Sequence, residues 1–226
     1  MFKRLVTTLI VIVAASAVIY AEDPYAIVDK YIEVTKAKQR QDSIQTLKFS
    51  AQETGYNPQT GQSMTATIKY WFRKDSLYRI EQDAQGNKMM IGFDGKTLWW
   101  TNPEQSNKIT EVQSSYRDNV LQQIRGENIV GGNIAKYKED STKFEFVETV
   151  TVDEKQCHKL KFIPLKSEQE MYMYFDAISG LMYQLEVKTP QGPYFRKTVS
   201  VTKSAGYFYP MKVEEWIGDK KVSDKI

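Results

Sequence analysis

The residues most able to do chemistry are few. His158 is the only histidine, and Cys157, the only cysteine, stands next to it. On a strand, adjacent side chains point to opposite faces, so the pair cannot converge on one ligand or substrate. A Ser/His/Asp triad or a His-based metal site needs partners that this pair lacks. Carboxylates are plentiful, but Asp153-Glu154 and Glu214-Glu215 fit turns and solvated strand ends better than an acid/base pair. There is no Gly-rich phosphate loop and no Cys/His spacing that would hold a metal. No catalytic residue, metal or cofactor is therefore expected, and enzymatic activity is not expected.

Aromatic residues make up 12% of the chain, which suits a strand-rich protein. Tyr70-Trp71-Phe72 and Trp99-Trp100 put large rings on both faces of their strands. A sheet with one face in water should not do that. Either both faces are covered, or one lines an apolar cavity.

Those aromatics need strands to hold them, and the chain supplies strands in series. The alternation predicts strands over Thr46–Glu53, Met64–Arg73, Leu77–Gln82, Lys88–Phe93, Thr97–Thr101 and Lys108–Val112. Asp94-Gly95 between two apolar runs is a strong hairpin signal. Further strands are predicted over Lys143–Val152, Cys157–Ile163, Glu170–Asp176, Met182–Lys188, Phe195–Val201 and Tyr207–Ile217. The chain stops at Asp224-Lys225-Ile226, where one more strand would be natural. Before the strands, Asp23 is a fitting N-cap and Pro24 a fitting first residue of a helix. That helix carries Ile27, Val28, Tyr31, Ile32 and Val34, and its pattern dissolves into Lys36–Asp42. Between the two strand series, Tyr116–Arg125 predicts a short helix and Ile134–Tyr137 a helical turn. The order implies one large curved antiparallel sheet or barrel.

The chain opens with Met1-Phe2-Lys3-Arg4, an apolar run over Leu5–Ile19 and small residues up to Ala21. These are the three parts of a secretory signal. Residues 1–21 are read as a cleaved signal peptide and 22–226 as a single domain. The run falls short of the ~20 apolar residues a bilayer span needs. No cysteine follows the signal core, so the exported protein is not expected to be lipidated. A lone cysteine forms no internal disulfide, so the core must hold the fold. The chain has 31 Lys and Arg against 28 Asp and Glu. Losing Lys3 and Arg4 with the signal leaves 29 against 28, so there is no basic field for nucleic acid.

Asp94-Gly95-Lys96-Thr97-Leu98-Trp99, with Trp100-Thr101-Asn102-Pro103 after it, resembles the corresponding run of the periplasmic outer-membrane lipoprotein carriers, the LolA-like family. Ile68–Arg73 and the return through Leu77-Tyr78-Arg79-Ile80 resemble the same family. The resemblance implies a mainly β protein, an unclosed antiparallel barrel of about 11 strands with a lid of a few short helices, LolA/LolB-like. It implies a monomeric periplasmic carrier that shuttles the acyl chains of lipoproteins, or lipid, from inner to outer membrane. Its partners would be an inner-membrane ABC-type release complex and an outer-membrane receptor. It also implies that Arg73 latches the lid and that Leu77 lies in the lipid cavity. If Arg73 faces inward so does Trp71, and Phe49, Met90 and Trp99 are further cavity candidates. The alternative on the same fold is a lipid-binding or envelope-stress sensor with no transport role. A structural or adhesive surface protein with a filled core is a third reading.

Overall fold

The computed structural model describes residues 22–57, 59–73, 77–113, 117, 133–139, 141–163 and 170–226. Residues 1–21, expected to be the signal, and all of the expected helix at 116–125 except Arg117 lie outside the described residues.

Helix α1 spans Pro24–Thr35. The Asp23 side chain caps it by accepting from the Tyr25 N–H at 2.9 Å, and Pro24 takes the first helical position. Lys36 then adopts a left-handed conformation, φ 52°, which ends α1 and starts α2, Ala37–Ser43. That second helix covers the stretch where the apolar periodicity fades. It is short and mostly polar, and Ala37 and Arg40 are its buried residues among those described.

Thirteen strands follow among the described residues. The first six are β1 (Thr46–Tyr56), β2 (Ser63–Arg73), β3 (Leu77–Ala84), β4 (Asn87–Asp94), β5 (Leu98–Asn102) and β6 (Lys108–Glu111). The second series is β7 (Lys143–Val152), β8 (Lys155–Ile163), β9 (Met171–Asp176), β10 (Met182–Thr189), β11 (Gly192–Ser204), β12 (Tyr207–Ile217) and β13 (Lys220–Lys225). The strand absent from the sequence reading is β13, a charged segment without clear alternation. The expected turn at Ile134–Tyr137 is present as a 3-10 turn over Asn133–Lys136.

All thirteen form one antiparallel sheet in the order β6-β5-β4-β3-β2-β1-β13-β12-β11-β10-β9-β8-β7. Each half is a meander of hairpins. The halves join at one non-sequential pairing, β1 against β13, in the register Glu53 to Lys225. Two backbone bonds between Gln52 and Ile226, at 2.8 and 2.9 Å, extend that joint. The sheet does not close, since β6 and β7 pair on one side only. Bulges in β7–β8, β9–β10, β11–β12 and β12–β13 bend it. The expected Asp94-Gly95 turn is formed. Asp94 Oδ1 accepts from the N–H groups of Lys96 and Thr97 at 2.9 and 2.7 Å, and Gly95 takes φ +96°, which suits glycine.

Candidate lipid-binding face

Facing residues of antiparallel strands project to the same side, so the register assigns every side chain to a face. The sheet face carrying Phe49 runs through Glu53 and Lys225, then Val213, Thr198, Arg196, Leu185, Met173 and Leu160. Leu160 packs with Phe144 and Phe175 against Ile27 and Val28 of α1. Phe49 therefore lies on the helix side of the sheet, here called the inner face.

The inner face carries two separate apolar clusters. One lies under α1 in the second half and includes Tyr137 and Ile134. Polar ties surround it. Lys30 Nζ donates to the carbonyls of Ala177 and Ile178 at 3.0 and 3.3 Å. Asp29 accepts from the Tyr137 hydroxyl at 2.8 Å and from Lys138 at 3.1 Å. His158 Nδ1 lies 3.0 Å from Glu22. Two recesses flank the helix. One of about 310 Å³ is lined by Glu22, Ala26, Lys30 and His158, and one of about 430 Å³ by Tyr25, Asp29, Lys138 and Ser141.

The second cluster, in the first half, is built by the sheet itself. Tyr78, Phe93 and Leu98 form its buried centre, with Phe72, Ile80, Ile91 and Val112 around them. A row of rings crosses the strands here. Phe49 stacks on Tyr70 at 4.4 Å between centroids, Phe72 lies 6.5 Å from Tyr78, and Tyr78 lies 5.7 Å from Phe93. None of these cluster or ring-row residues belongs to a helix.

The six site residues expected from the sequence do not meet. Phe49 is on the inner face. Arg73, Trp71, Leu77, Met90 and Trp99 share the opposite, outer face, as the pairs Arg73–Leu77, Trp71–Arg79, Glu81–Met90 and Gly92–Trp99 show. The two-residue period of a strand forces the separation. Phe49 faces Tyr70, and Trp71 is the next residue along. Arg73 is exposed on the side away from α1. Trp71 instead sits between two cations, Lys48 at 5.7 Å and Arg79 at 5.8 Å from its ring centre. Arg79 also pairs with Glu81 and lies 3.3 Å from Met90 Sδ. The Trp99 ring covers Gly92, where an added Cβ would stand 2.1 Å from it.

Arg40 joins helix to sheet. Its Nη1 donates to the Phe208 carbonyl of β12 at 2.6 Å, and its guanidinium lies 5.3 Å from the Tyr209 ring centre. The side chain is 4% exposed, and burial draws its pKa below the usual arginine value. Sequence reading passed over Arg40 because it stands in a polar stretch, Lys36–Asp42, with no apolar period. The signal was there only as a helical spacing from Ala37, which is also buried.

Cys157 and His158 divide as expected of neighbours on a strand. The thiol is fully buried, and burial pushes its pKa up to about 11, which suits a packed cysteine and not a nucleophile. Among the described residues no group of His, Cys, Asp and Glu is placed to hold a metal ion. No helix among them is long and apolar enough to cross a membrane.

An open antiparallel sheet with helices on one face is the fold of LolA-superfamily proteins, and solved structures bear this out. The chain is similar to a LolA-superfamily protein from Nitrosomonas europaea at 11% identity, TM-score 0.55, over 91% of this chain and 90% of that one. It is similar at 10% identity, TM-score 0.53, to a domain from Vibrio parahaemolyticus described as an outer membrane lipoprotein-sorting protein, over 88% and 89%. A DUF1329 family protein from Desulfovibrio piger matches at 12% identity, TM-score 0.56, over 90% of both chains. No protein-family model matches the chain, and no curated protein matches it by sequence.

Proposed function

We propose that this chain is an exported periplasmic carrier that holds the acyl chains of lipoproteins or lipids on the inner face of its open sheet. It would move them from the inner to the outer membrane without covalent chemistry. The observation that carries this reading is the apolar cluster that the first half of the sheet builds around Tyr78, Phe93 and Leu98, continued by the ring row from Phe49. A sheet needs an apolar partner on such a face, and the cluster under α1 is a separate one. The half-buried rim of the first-half cluster, Phe72, Ile80 and Ile91 with Phe49 beside them, is apolar surface left for an acyl chain to lie on. Covering it is worth about 0.8 kcal/mol per methylene, so a single long chain contributes on the order of 10 kcal/mol. The signal-like pattern of residues 1–21, a basic start, an apolar run and small residues, supports the compartment. The donor would be an inner-membrane ABC-type release complex and the acceptor an outer-membrane receptor.

The test uses purified residues 22–226 and a neutral pyrene-labelled acyl alcohol. Saturable binding with a blue-shifted, enhanced signal is expected, together with loss of affinity on Phe49→Ser. An unchanged probe signal at all protein concentrations would remove the acyl-binding reading.

A further inference from the structure

Among the described residues, Arg40 is a charge buried without a counter-charge. Its side chain is 4% exposed, yet the partners it makes are neutral: the Phe208 carbonyl and the Tyr209 ring. The titratable groups that act on it are the hydroxyls of Tyr31, Tyr209 and Tyr207, with no carboxylate among them. Among the described residues it makes no salt bridge, and its Nε has no hydrogen-bond partner. Several cations on the sheet are paired with carboxylates. Lys161 and Lys188 share Glu170, Lys197 meets Asp153, and Lys221 meets Glu214 and Asp224. An isolated buried cation is expensive, and the cost falls only when an anion and further acceptors reach it. Arginine presents a planar fork of five N–H donors that matches carboxylate and phosphate oxygens. Here the fork stands between the helix layer and the sheet, on a helix next to the one that covers the inner face.

We propose that Arg40 is a headgroup-recognition residue, so that the acyl ligand of this protein carries an anionic headgroup, a carboxylate or a phosphate ester, that pairs with the buried guanidinium. The inference rests on the acyl-binding reading above and adds the ligand's charge to it. It separates fatty acids and phosphate-bearing lipids from neutral ones such as alcohols and diacylglycerols. The tie to Phe208 then has a second consequence. A headgroup that takes the guanidinium competes with the carbonyl that holds α2 to β12.

The experiment displaces the neutral pyrene probe from residues 22–226 with dodecanol, laurate and dodecyl phosphate, each below its micellar concentration, and with inorganic phosphate. Laurate and dodecyl phosphate are expected to displace at roughly tenfold or more lower concentration than dodecanol, the size of one charge-assisted pair. Arg40→Met should bring both anionic compounds to the dodecanol level, and Arg40→Lys should keep part of the difference. Equal displacement by all three compounds overturns headgroup recognition and leaves the acyl site standing. If the probe itself does not bind, the acyl-binding reading falls and the inference with it. Displacement by inorganic phosphate at concentrations matching dodecyl phosphate would mark a simple anion site and overturn the lipid assignment. Should Arg40→Met fail to fold, as read by circular dichroism, the wild-type series and Arg40→Lys still decide the matter.

Discussion

Trp99 shows how one side chain's role depends on what stands opposite it. As one of two adjacent tryptophans it looks like cavity lining. In the sheet it faces Gly92, and its ring occupies the space a Cβ would need, at 2.1 Å from that position. The indole supplies the surface that the glycine lacks. Gly92→Ala is therefore expected to cost roughly 1–3 kcal/mol by overpacking. Combining it with Trp99→Ala should cost less than the two single changes summed, because the clash is gone. Urea denaturation of the four proteins measures this, and strict additivity would show that the contact is not what makes Gly92 necessary. Trp100, the next residue, faces Ile91 on the inner side. The pair of tryptophans thus serves two faces, and only Trp100 shares a face with the apolar cluster.

At the scale of elements, β13 has an importance its composition hides. Lys220–Lys225 is mostly charged, yet it lies between β1 and β12 and is the joint between the two halves of the sheet. Its charges are used in place. Lys225 meets Glu53 at 3.4 Å, Asp224 accepts from the Tyr56 hydroxyl at 2.7 Å, and Ser223 donates to Glu215 at 2.8 Å. Removing residues 219–226 would leave β1 and β12 with open edges, which invite aggregation. The shortened chain is expected to lose a single cooperative thermal transition by circular dichroism and to give less soluble protein. One transition within a few degrees of the full chain would show that the halves do not need β13. The helices illustrate the converse. The cap at Asp23 and Pro24 made α1 legible, whereas α2 depends on a left-handed Lys36 and on one buried arginine.

For the whole molecule, carboxylates held by hydrogen bonds and cations set the response to acid. The Lys188 ammonium holds Glu170 below its usual range, Lys197 does so for Asp153, the Tyr56 hydroxyl for Asp224, and the Thr97 N–H for Asp94. A carboxyl depressed in the folded state stabilises the fold fully above its unfolded value and loses that contribution as pH falls through the folded one. The reference values are 4.5 for Glu170 and 3.8 for the aspartates. The urea midpoint should thus change little from this source between pH 5 and 7 and drop from about pH 4 downward. A midpoint at pH 3 equal to that at pH 6 would contradict the pairing. The sequence by itself determined the order of elements, the strand character, the hairpin at Asp94-Gly95 and the resemblance to the carriers. These rest on local signals: period-two alternation, caps and turn residues. The tertiary structure decided which face each strand residue occupies, that β13 joins the halves, and that Arg40 reaches from a helix to the sheet. Alternation separates a strand's two faces but does not say which is covered. Register and long-range pairing settle that, and they exist only once strands distant in the chain lie side by side.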